Sequence, residues 1–508
     1  MKIRTIYLSI FLVFSLMLLS DEVAAQNWPG IRDSIYSETL KEKRIIQVIL
    51  PKDYKAESGE KYEVLYVLDG EWYMEQVPFI YNFAMTSGYV PKCIFVLIPN
   101  TYVNSINLRD RDFSPTHINL DPPSGGADNF HAFLKNELIP YVEKKYPANG
   151  QKSLLGSSFS GLFAVYAFVK EPQLFQSYIA SDPNLSWDNG YVNKLAGEKL
   201  PHFSEVSATL FIAGLNHTFH DMGSASMDSV LRAKAPGSIH WKCQIYSNET
   251  HYSVQHKAFY DGMRFSHLGY SDRHAEYHPM NGILRNDKPI KIYVPKEFPT
   301  VHYTTDGTEP TAKSPVLSPD STITISAPAQ FKIKSFSNRP LYDAISPGNE
   351  GNFSIGELLP ADSKSKGIKN ELSYLYFEGK WDTLPDFKSL KPAASGIVDK
   401  DFNVNKPKAE KSSAYLIKGY IEVPEDGYYV FYVNSENGSK MYVGGKLFIE
   451  LNGKPGSTSQ SYALSLKRGF YSLRLELIRK KDAPDIQFLV FRTKTDNDNW
   501  WETEFLRL

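Results

Sequence analysis

This sequence has few cysteines, no excess of positive or negative charge, and few long apolar runs. Only two of the 508 residues are cysteine, which excludes a disulfide framework and a zinc site built from cysteines. The 56 Lys and Arg residues nearly balance the 57 Asp and Glu residues, and this net charge of −1 argues against nucleic-acid binding through a global positive field. Hydrophobic residues make up 42%, so we expect globular domains, about three for this length. We expect no cofactor.

The first residues have the pattern of an export signal. Lys2 and Arg4 precede an apolar run from Ile6 to Leu19, which is too short for a bilayer that needs roughly 20 residues. The small residues Val23 to Ala25 then fit a cleavage site. We therefore predict a signal peptide over residues 1–25 and a periplasmic or extracellular protein without a membrane span; the alternative is an uncleaved anchor.

The rest of the chain has two kinds of hydrophobic pattern. Apolar runs alternate with amphipathic stretches over residues 26–272, which favours an α/β sheet in this region. Helical periodicity then fades, and β-branched and aromatic runs predict a small all-β module over residues 283–354. A Lys-, Ser- and Gly-rich stretch over residues 355–372 is typical of a linker, and residues 373–508 again predict a β-sandwich.

The strongest chemical signal is the segment from Gly156 to Gly161, which contains Ser158. It follows the apolar run Ser153–Leu155 and precedes a predicted helix, which is the strand–turn–helix context of a nucleophile elbow. Small residues are needed there because the turn is strained and crowded. The segment predicts Ser158 as a nucleophile, with the amide of Phe159 directed at a developing oxyanion.

A serine nucleophile needs a base and, in most cases, an acid that orients it. His251 follows the predicted strand that ends at Tyr246, where α/β-hydrolases place their general base. Asp221, on the loop after the preceding strand, is the nearest candidate for the acid, although it could instead cap a helix. The amide of Glu71, after the early strand that ends at Leu68, is the candidate for a second oxyanion donor.

These segments together resemble the esterase family of α/β-hydrolases that includes S-formylglutathione hydrolase, mycolyltransferases, feruloyl and acetyl-xylan esterases and enterobactin esterases. The matching pieces lie in order over about residues 35 to 270 and include Leu68-Asp69-Gly70, Arg109 to Pro115, Gly125-Gly126-Ala127 and Ser181 to Trp187. The resemblance implies the α/β-hydrolase fold, Ser158 as nucleophile and His251 as base. We assign Trp72, Arg109 and Trp187 in or beside these segments to substrate binding.

The chain departs from the family at the acid, because His217 occupies the slot in which relatives often carry Asp or Glu. The sequence therefore leaves open whether Asp221 substitutes or whether the enzyme uses a Ser–His dyad.

Two further resemblances concern the β-rich regions. The segment from Tyr303 to Thr311 is similar to the small β-sandwich appended to chitobiase and hexosaminidase. Residues 373–508 resemble the protective-antigen-type β-sandwich of adhesins and glycosidases, but Glu436-Asn437 replaces the paired Asp residues that hold calcium in sugar-binding relatives. A structural sandwich and a glycan-binding sandwich both remain open.

The sequence supports three functions. We expect a secreted serine esterase that removes feruloyl or acetyl groups from an acylated glycan, with possible glycan contact through the C-terminal sandwich. The alternatives are a siderophore esterase of the enterobactin type and a non-catalytic glycan-binding protein on a hydrolase scaffold.

Overall fold

The computed structural model describes 14 stretches of the chain, which are residues 30–119, 123–203, 206–272, 275–286, 288–294, 300–318, 321–343, 348–362, 371–398, 412–435, 437–451, 459–480, 487–492 and 504–505. The predicted signal peptide, residues 363–370 of the predicted linker and Glu436 lie outside them. The chain divides into two compact units with a boundary between Ser266 and His267.

The N-terminal unit is built on a mixed β-sheet. Its strands are β1 (Ile31–Ser37), β2 (Glu42–Ile49), β3 (Tyr62–Leu68), β4 (Cys93–Ile98), the hairpin β5 (Tyr102–Val103) and β6 (Ile106–Asn107), β7 (Ala148–Ser157), β8 (Ser177–Ser181), β9 (Ala208–Leu215) and β10 (Ile239–Tyr246). Apart from the hairpin, the described strands form one sheet in the order β1-β2-β4-β3-β7-β8-β9-β10. β1 and β2 are antiparallel to their neighbours, and the pairs from β4 to β10 are parallel.

Helices connect the parallel strands. They are α1 (Gly70–Tyr73), α2 (Gln76–Thr86), α3 (Arg109–Phe113), α4 (Ala127–Phe133), α5 (Ile139–Lys145), α6 (Phe159–Lys170), α7 (Trp187–Lys199), α8 (Thr218–Asp221), α9 (Ser224–Lys234) and α10 (Val254–Ser266). A π-helical turn, Leu134–Leu138, joins α4 to α5, and 3₁₀ turns occur at Ala56–Ser58 and Leu200–His202.

The central strands bury side chains on both faces of the sheet. In β3, Val64 and Tyr66 belong to the core on one face, whereas Leu65 and Val67 belong to the core on the other. This alternation follows from the two-residue period of a strand, and burial on both faces explains why the strand is apolar throughout. The α/β prediction for this region is therefore confirmed.

The C-terminal unit is rich in β-strands. They are β11 (Asn281–Leu284), β12 (Ile290–Tyr293), β13 (Val301–Thr304), β14 (Val316–Leu317), β15 (Thr322–Ile325), β16 (Ala329–Lys334), β17 (Asn349–Ile355), β18 (Glu371–Glu378), β19 (Ala394–Ile397), β20 (Ser413–Val423), β21 (Gly427–Asn434), β22 (Ser439–Val443), β23 (Lys446–Leu451), β24 (Ser459–Leu466), β25 (Gly469–Arg479), β26 (Gln487–Arg492) and β27 (Glu504–Phe505). A short helix, α11 (Pro340–Asp343), precedes β17.

One sheet crosses the two predicted β-modules. Its order is β14-β13-β16-β17-β11-β24-β21-β26-β27, and the parallel pairing of β11 with β24 joins the halves. Asn281 lies opposite Tyr462 and Gly282 opposite Ala463. A second sheet, β19-β18-β20-β25-β22-β23, packs with part of the first around a shared apolar core. The two β-modules recognised in the sequence therefore share backbone hydrogen bonds.

The two cysteines do not pair. Cys93 is buried on β4 and Cys243 lies on β10, and neither forms a disulfide. Four strands of the sheet, β3, β7, β8 and β9, separate the two positions. The strand order therefore excludes a disulfide between Cys93 and Cys243.

Candidate active site

Ser158 lies in the sharp turn between β7 and α6. Its backbone has φ 57° and ψ −116°, a conformation that is strained for a residue with a side chain. Glycines make room for the turn: a Cβ atom at Gly156 would collide with the carbonyl oxygen of Ser160, and one at Gly161 would lie 3.1 Å from the Cβ atom of Pro183. The geometry is that of the predicted elbow.

The turn is held against the next strand. The Ser158 N–H donates to the Ser181 carbonyl at 2.9 Å, and the Asn184 N–H donates to the Ser158 carbonyl at 3.2 Å. Phe159 is the first residue of α6, where amides have no acceptor within the helix and the helix dipole favours negative charge. Its N–H can therefore serve a developing oxyanion.

His251 pairs with a carboxylate from the same edge of the sheet. Its Nδ1 lies 2.6 Å from Oδ2 of Asp182, which follows β8 and is fully buried. The other carboxylate oxygen, Oδ1, accepts a hydrogen bond from Thr218 Oγ1 at 2.6 Å. This arrangement fixes the imidazole with Nδ1 toward the carboxylate and leaves Nε2 to take a proton.

The carboxylate that the structure pairs with His251 is therefore Asp182 and not the predicted Asp221. Asp221 is the last residue of α8 and its side chain is exposed. Thr218, the first residue of the same helix, instead donates a hydrogen bond to Asp182. Glu249, another carboxylate near the base, bonds to Ser253 and Lys257. The sequence pattern missed Asp182 because the short strand β8 was not recognised, although Ser181 and Asp182 were noted in a matching segment.

The second predicted oxyanion donor follows β3. Glu71 lies in α1, and Gly70 before it permits close approach to β4, since a Cβ there would lie 2.6 Å from the Ile98 nitrogen. The Glu71 carboxylate accepts hydrogen bonds from the Asn100 backbone N–H at 3.1 Å and from Nδ2 at 2.8 Å. Burial outweighs these bonds and raises the pKa of Glu71.

Comparison with known proteins agrees with this geometry. Residues 37–226 match the profile of the family described as "Putative esterase". The chain belongs to this esterase family through its N-terminal unit. The esterase domain has the α/β-hydrolase fold, and the β-rich region behind it matches the chitobiase/β-hexosaminidase C-terminal domain over residues 280–341 and the PA14 domain over residues 378–487.

Three relatives show the extent of the similarity. The esterase domain is 27% identical over 181 residues to the ferri-bacillibactin esterase BesA of Bacillus subtilis, covering 33% of this chain and 61% of that protein. It is 29% identical over 137 residues to the siderophore triacetylfusarinine C esterase of Aspergillus fumigatus, covering 25% and 45%. A crystal structure of an IroE-like serine hydrolase from Shewanella oneidensis is 32% identical, with 46% and 78% covered and a TM-score of 0.42. The chain thus spans less than two thirds of the two curated relatives.

The three predicted substrate-binding residues of the esterase domain differ in exposure. Trp72 is 49% exposed, with the Arg109 guanidinium 5.0 Å from its ring. Arg109 itself is bound to Asp69, with Nε 2.7 Å from the carboxylate. Trp187 is buried with its ring edge against Phe159. Of the three, Trp72 presents the most surface to a ligand, while Arg109 and Trp187 are engaged within the protein.

Three exposed aromatic side chains belong to the segments that carry Glu71, Asn100 and His251, and we call Trp72, Tyr102 and Tyr252 the aromatic rim. Tyr252 is 78% exposed and its ring lies 5.8 Å from that of His251. Tyr102, on the hairpin after β4, is 56% exposed. Partial burial and the charges of Glu71 and Asp69 raise the pKa of Tyr102.

Within the described ranges, no helix is long and apolar enough to cross a membrane. In the same part of the chain, no three His, Cys, Asp or Glu side chains are grouped so that they could hold a metal ion.

Proposed function

We propose that the esterase domain hydrolyses carboxylic esters through a covalent acyl-enzyme on Ser158. The observation that carries this proposal is the Asp182–His251 pair, which lies at the same strand ends as the elbow. Ser157 and Ser181 are direct neighbours on β7 and β8, so Ser158 and Asp182 are at equivalent positions of adjacent strands. Backbone pairing thus brings Asp182, the carboxylate that bonds to His251, next to Ser158.

The residues define a two-step reaction. Ser158 Oγ attacks the ester carbonyl carbon while His251 Nε2 removes the hydroxyl proton, and Asp182 stabilises the imidazolium. The amides of Phe159 and Glu71 bind the oxyanion. His251 then gives the proton to the leaving alcohol, which leaves the acyl-enzyme. His251 then removes a proton from a water molecule, which attacks the acyl carbon. When the resulting intermediate breaks down, the acid is released and His251 returns the proton to Ser158 Oγ.

An ester of a bulky aromatic acid fits this site best. The aromatic rim offers faces on which an aryl acyl group can stack. The two curated relatives are siderophore esterases by name, which supports a siderophore-type ester as substrate.

A feruloyl or acetyl ester of a glycan is the second candidate. The chitobiase-type and PA14 domains support it, because such domains usually accompany glycan-active enzymes. In this case the C-terminal unit would hold the glycan. The pattern of residues 1–25 supports export of the protein under both candidates.

Two measurements test the proposal. The first is labelling of the full chain by a fluorophosphonate, which reacts with an activated serine; we expect one label, at Ser158. The second is hydrolysis of an aryl acetate, methyl ferulate, acetylated xylan and a catechol siderophore ester. An unlabelled wild-type protein that cleaves none of these esters would instead support a binding protein on a hydrolase scaffold.

A further inference from the structure

Asp69 connects the two segments that carry the proposed oxyanion donors. It lies between β3 and α1, is fully buried and has φ 54°, a left-handed conformation that Asp tolerates better than most residues. Its carboxylate accepts hydrogen bonds from Arg109 Nε at 2.7 Å, Arg109 Nη2 at 2.8 Å, Ser160 Oγ at 2.6 Å and Asn100 Nδ2 at 2.8 Å.

Two of these partners reach the nucleophile elbow. Arg109 Nη2 also donates to the Ser157 carbonyl at 3.2 Å, and Ser160 Oγ accepts the Ser157 N–H at 2.8 Å. Both routes therefore end on the residue before Ser158, within one peptide unit of the strained turn. The carboxylate of Asp69 thus fixes the chain on the Phe159 side of the oxyanion site.

The third partner reaches the other donor. Asn100 Nδ2 donates to Asp69 and also to the Glu71 carboxylate, each at 2.8 Å. The backbone carbonyl of Asp69 accepts the Trp72 N–H at 2.9 Å, which closes the turn around Glu71. Asp69 therefore binds Asn100, which bonds to Glu71, and also binds Arg109 and Ser160, which bond to the elbow.

The ion pair between Asp69 and Arg109 makes the connection between the two segments rigid. Burial alone would lower the pKa of Arg109, but the hydrogen bonds and charge of Asp69 outweigh it and raise the pKa. A bidentate hydrogen bond between a guanidinium and a carboxylate is directional and is stronger than a hydrogen bond between neutral groups. A buried charge pair is also costly to break, so the pair resists displacement.

We propose that Asp69 is a positioning residue that sets the separation between the Phe159 and Glu71 amides, with Arg109 as its partner instead of a substrate-binding group. This inference rests on the proposed esterase function. Oxyanion donors act only when they are held at the position where charge develops, so a loosened link should lower the rate of the chemical step more than substrate binding.

The test is Asp69→Asn in the full chain. Asn keeps the left-handed conformation and the approximate shape, but it removes the charge and turns one acceptor into a donor. We expect kcat for an aryl acetate to fall by about tenfold to a hundredfold with KM little changed. The rate constant for fluorophosphonate labelling should fall in parallel, since that reagent also develops charge at the oxyanion site.

Asp112→Asn is the matched control, because it removes a different buried ion pair, with Arg44 at 2.6 Å, both side chains being 1% exposed. It should lower stability yet keep kcat within about threefold. Equal losses of kcat in the two variants would show a general structural effect and overturn the proposal, as would an Asp69→Asn protein with wild-type kcat.

If Asp69→Asn does not fold, Ser160→Ala decides, because it removes one of the bonds to Asp69 and leaves the Arg109 pair. We expect its kcat to fall by about tenfold, and an unchanged kcat would overturn the proposal. A wild-type protein that is neither labelled nor active would refute the esterase function itself, which separates that failure from the failure of this inference.

Discussion

Among the described residues both units bury serine side chains, but the buried carboxylates belong to the N-terminal unit. In the described part of the N-terminal unit, Arg44, Glu63, Asp69, Asp112 and Asp182 are each at most 1% exposed. In the described part of the C-terminal unit, most of the buried polar side chains are serines, with Arg339, His267 and His278 as the charged or titratable exceptions. A buried charge is costly unless it is paired, whereas a buried serine needs only a hydrogen bond.

The difference follows the architecture. Two of the buried carboxylates, Asp69 and Asp182, come directly after the parallel strands β3 and β8, at the edge where Ser158 also lies. In open α/β sheets this edge is where ligands bind. In the described part of the C-terminal unit the strands pair antiparallel, apart from the parallel pairs of β11 with β17 and β24. The contrast suggests that charge is buried where geometry must be held, and the predictions below test it.

The largest effect is expected from Ser158→Ala, which removes the nucleophile from the charged edge. Hydrolysis of an aryl acetate should fall by about 10⁴-fold or more in kcat, because the remaining residues cannot form the acyl-enzyme. Ser229→Ala, on the exposed face of α9, is the control and should behave as wild type. A folded Ser158→Ala protein that retains more than a tenth of the activity would refute the assignment.

The next effect separates two carboxylates of the N-terminal unit. Asp182→Asn should lower kcat by about 10³-fold or more, because the amide no longer holds His251 in the required tautomer. Asp221→Asn, at an exposed position, should leave kcat within about twofold of wild type. Comparable losses of kcat in both variants would show that Asp221 contributes to catalysis. An unchanged kcat in both variants would favour a Ser–His dyad.

The third prediction concerns the independence of the units. A chain that ends at Ser271 should fold, because the N-terminal unit has apolar cores of its own on both faces of its sheet. Its activity on an aryl acetate should stay within about threefold of the full chain, while activity on a polymeric ester should fall if the C-terminal unit holds glycan. A soluble, folded but inactive product would show that the C-terminal unit is required by the esterase site.

The smallest effect is expected at a charged group away from the site. Asp33 on β1 accepts hydrogen bonds from Tyr141, Lys145 and Tyr146 at 2.7–2.9 Å. Burial alone would raise its pKa, but these bonds outweigh burial and lower the pKa of Asp33 from 3.8 to about 2. A carboxyl whose pKa is lowered by folding stabilises the fold above pH 3.8 and loses that contribution as the pH falls toward 2.

Asp33→Asn should therefore lower the free energy of unfolding at pH 7 by about 1 kcal/mol, a modest value because Lys145 is solvent-exposed. Urea denaturation at pH 7 and at pH 3 measures it, and the difference from wild type should shrink at pH 3. A difference that grows toward low pH would contradict the assigned direction of the shift.

Local sequence was sufficient for much of this molecule. The change of sequence pattern near residue 272 lies within a few residues of the boundary between the two units. The elbow at Ser158 was predictable because its requirement is local: small residues, a preceding strand and a following helix. The base His251 followed from its place after the last strand.

What only the tertiary structure decided involves residues that are distant in sequence. Asp182 and His251 are 69 positions apart and meet because β8 and β10 flank β9, and β8 is a five-residue strand with serines at both ends that resembles a loop in the sequence. Arg109, which the sequence assigned to substrate binding, bonds to Asp69, 40 positions away. Local periodicity reports which face of an element is buried, but strand order and the pairing of buried charges depend on the whole sheet, so no single segment carries that information.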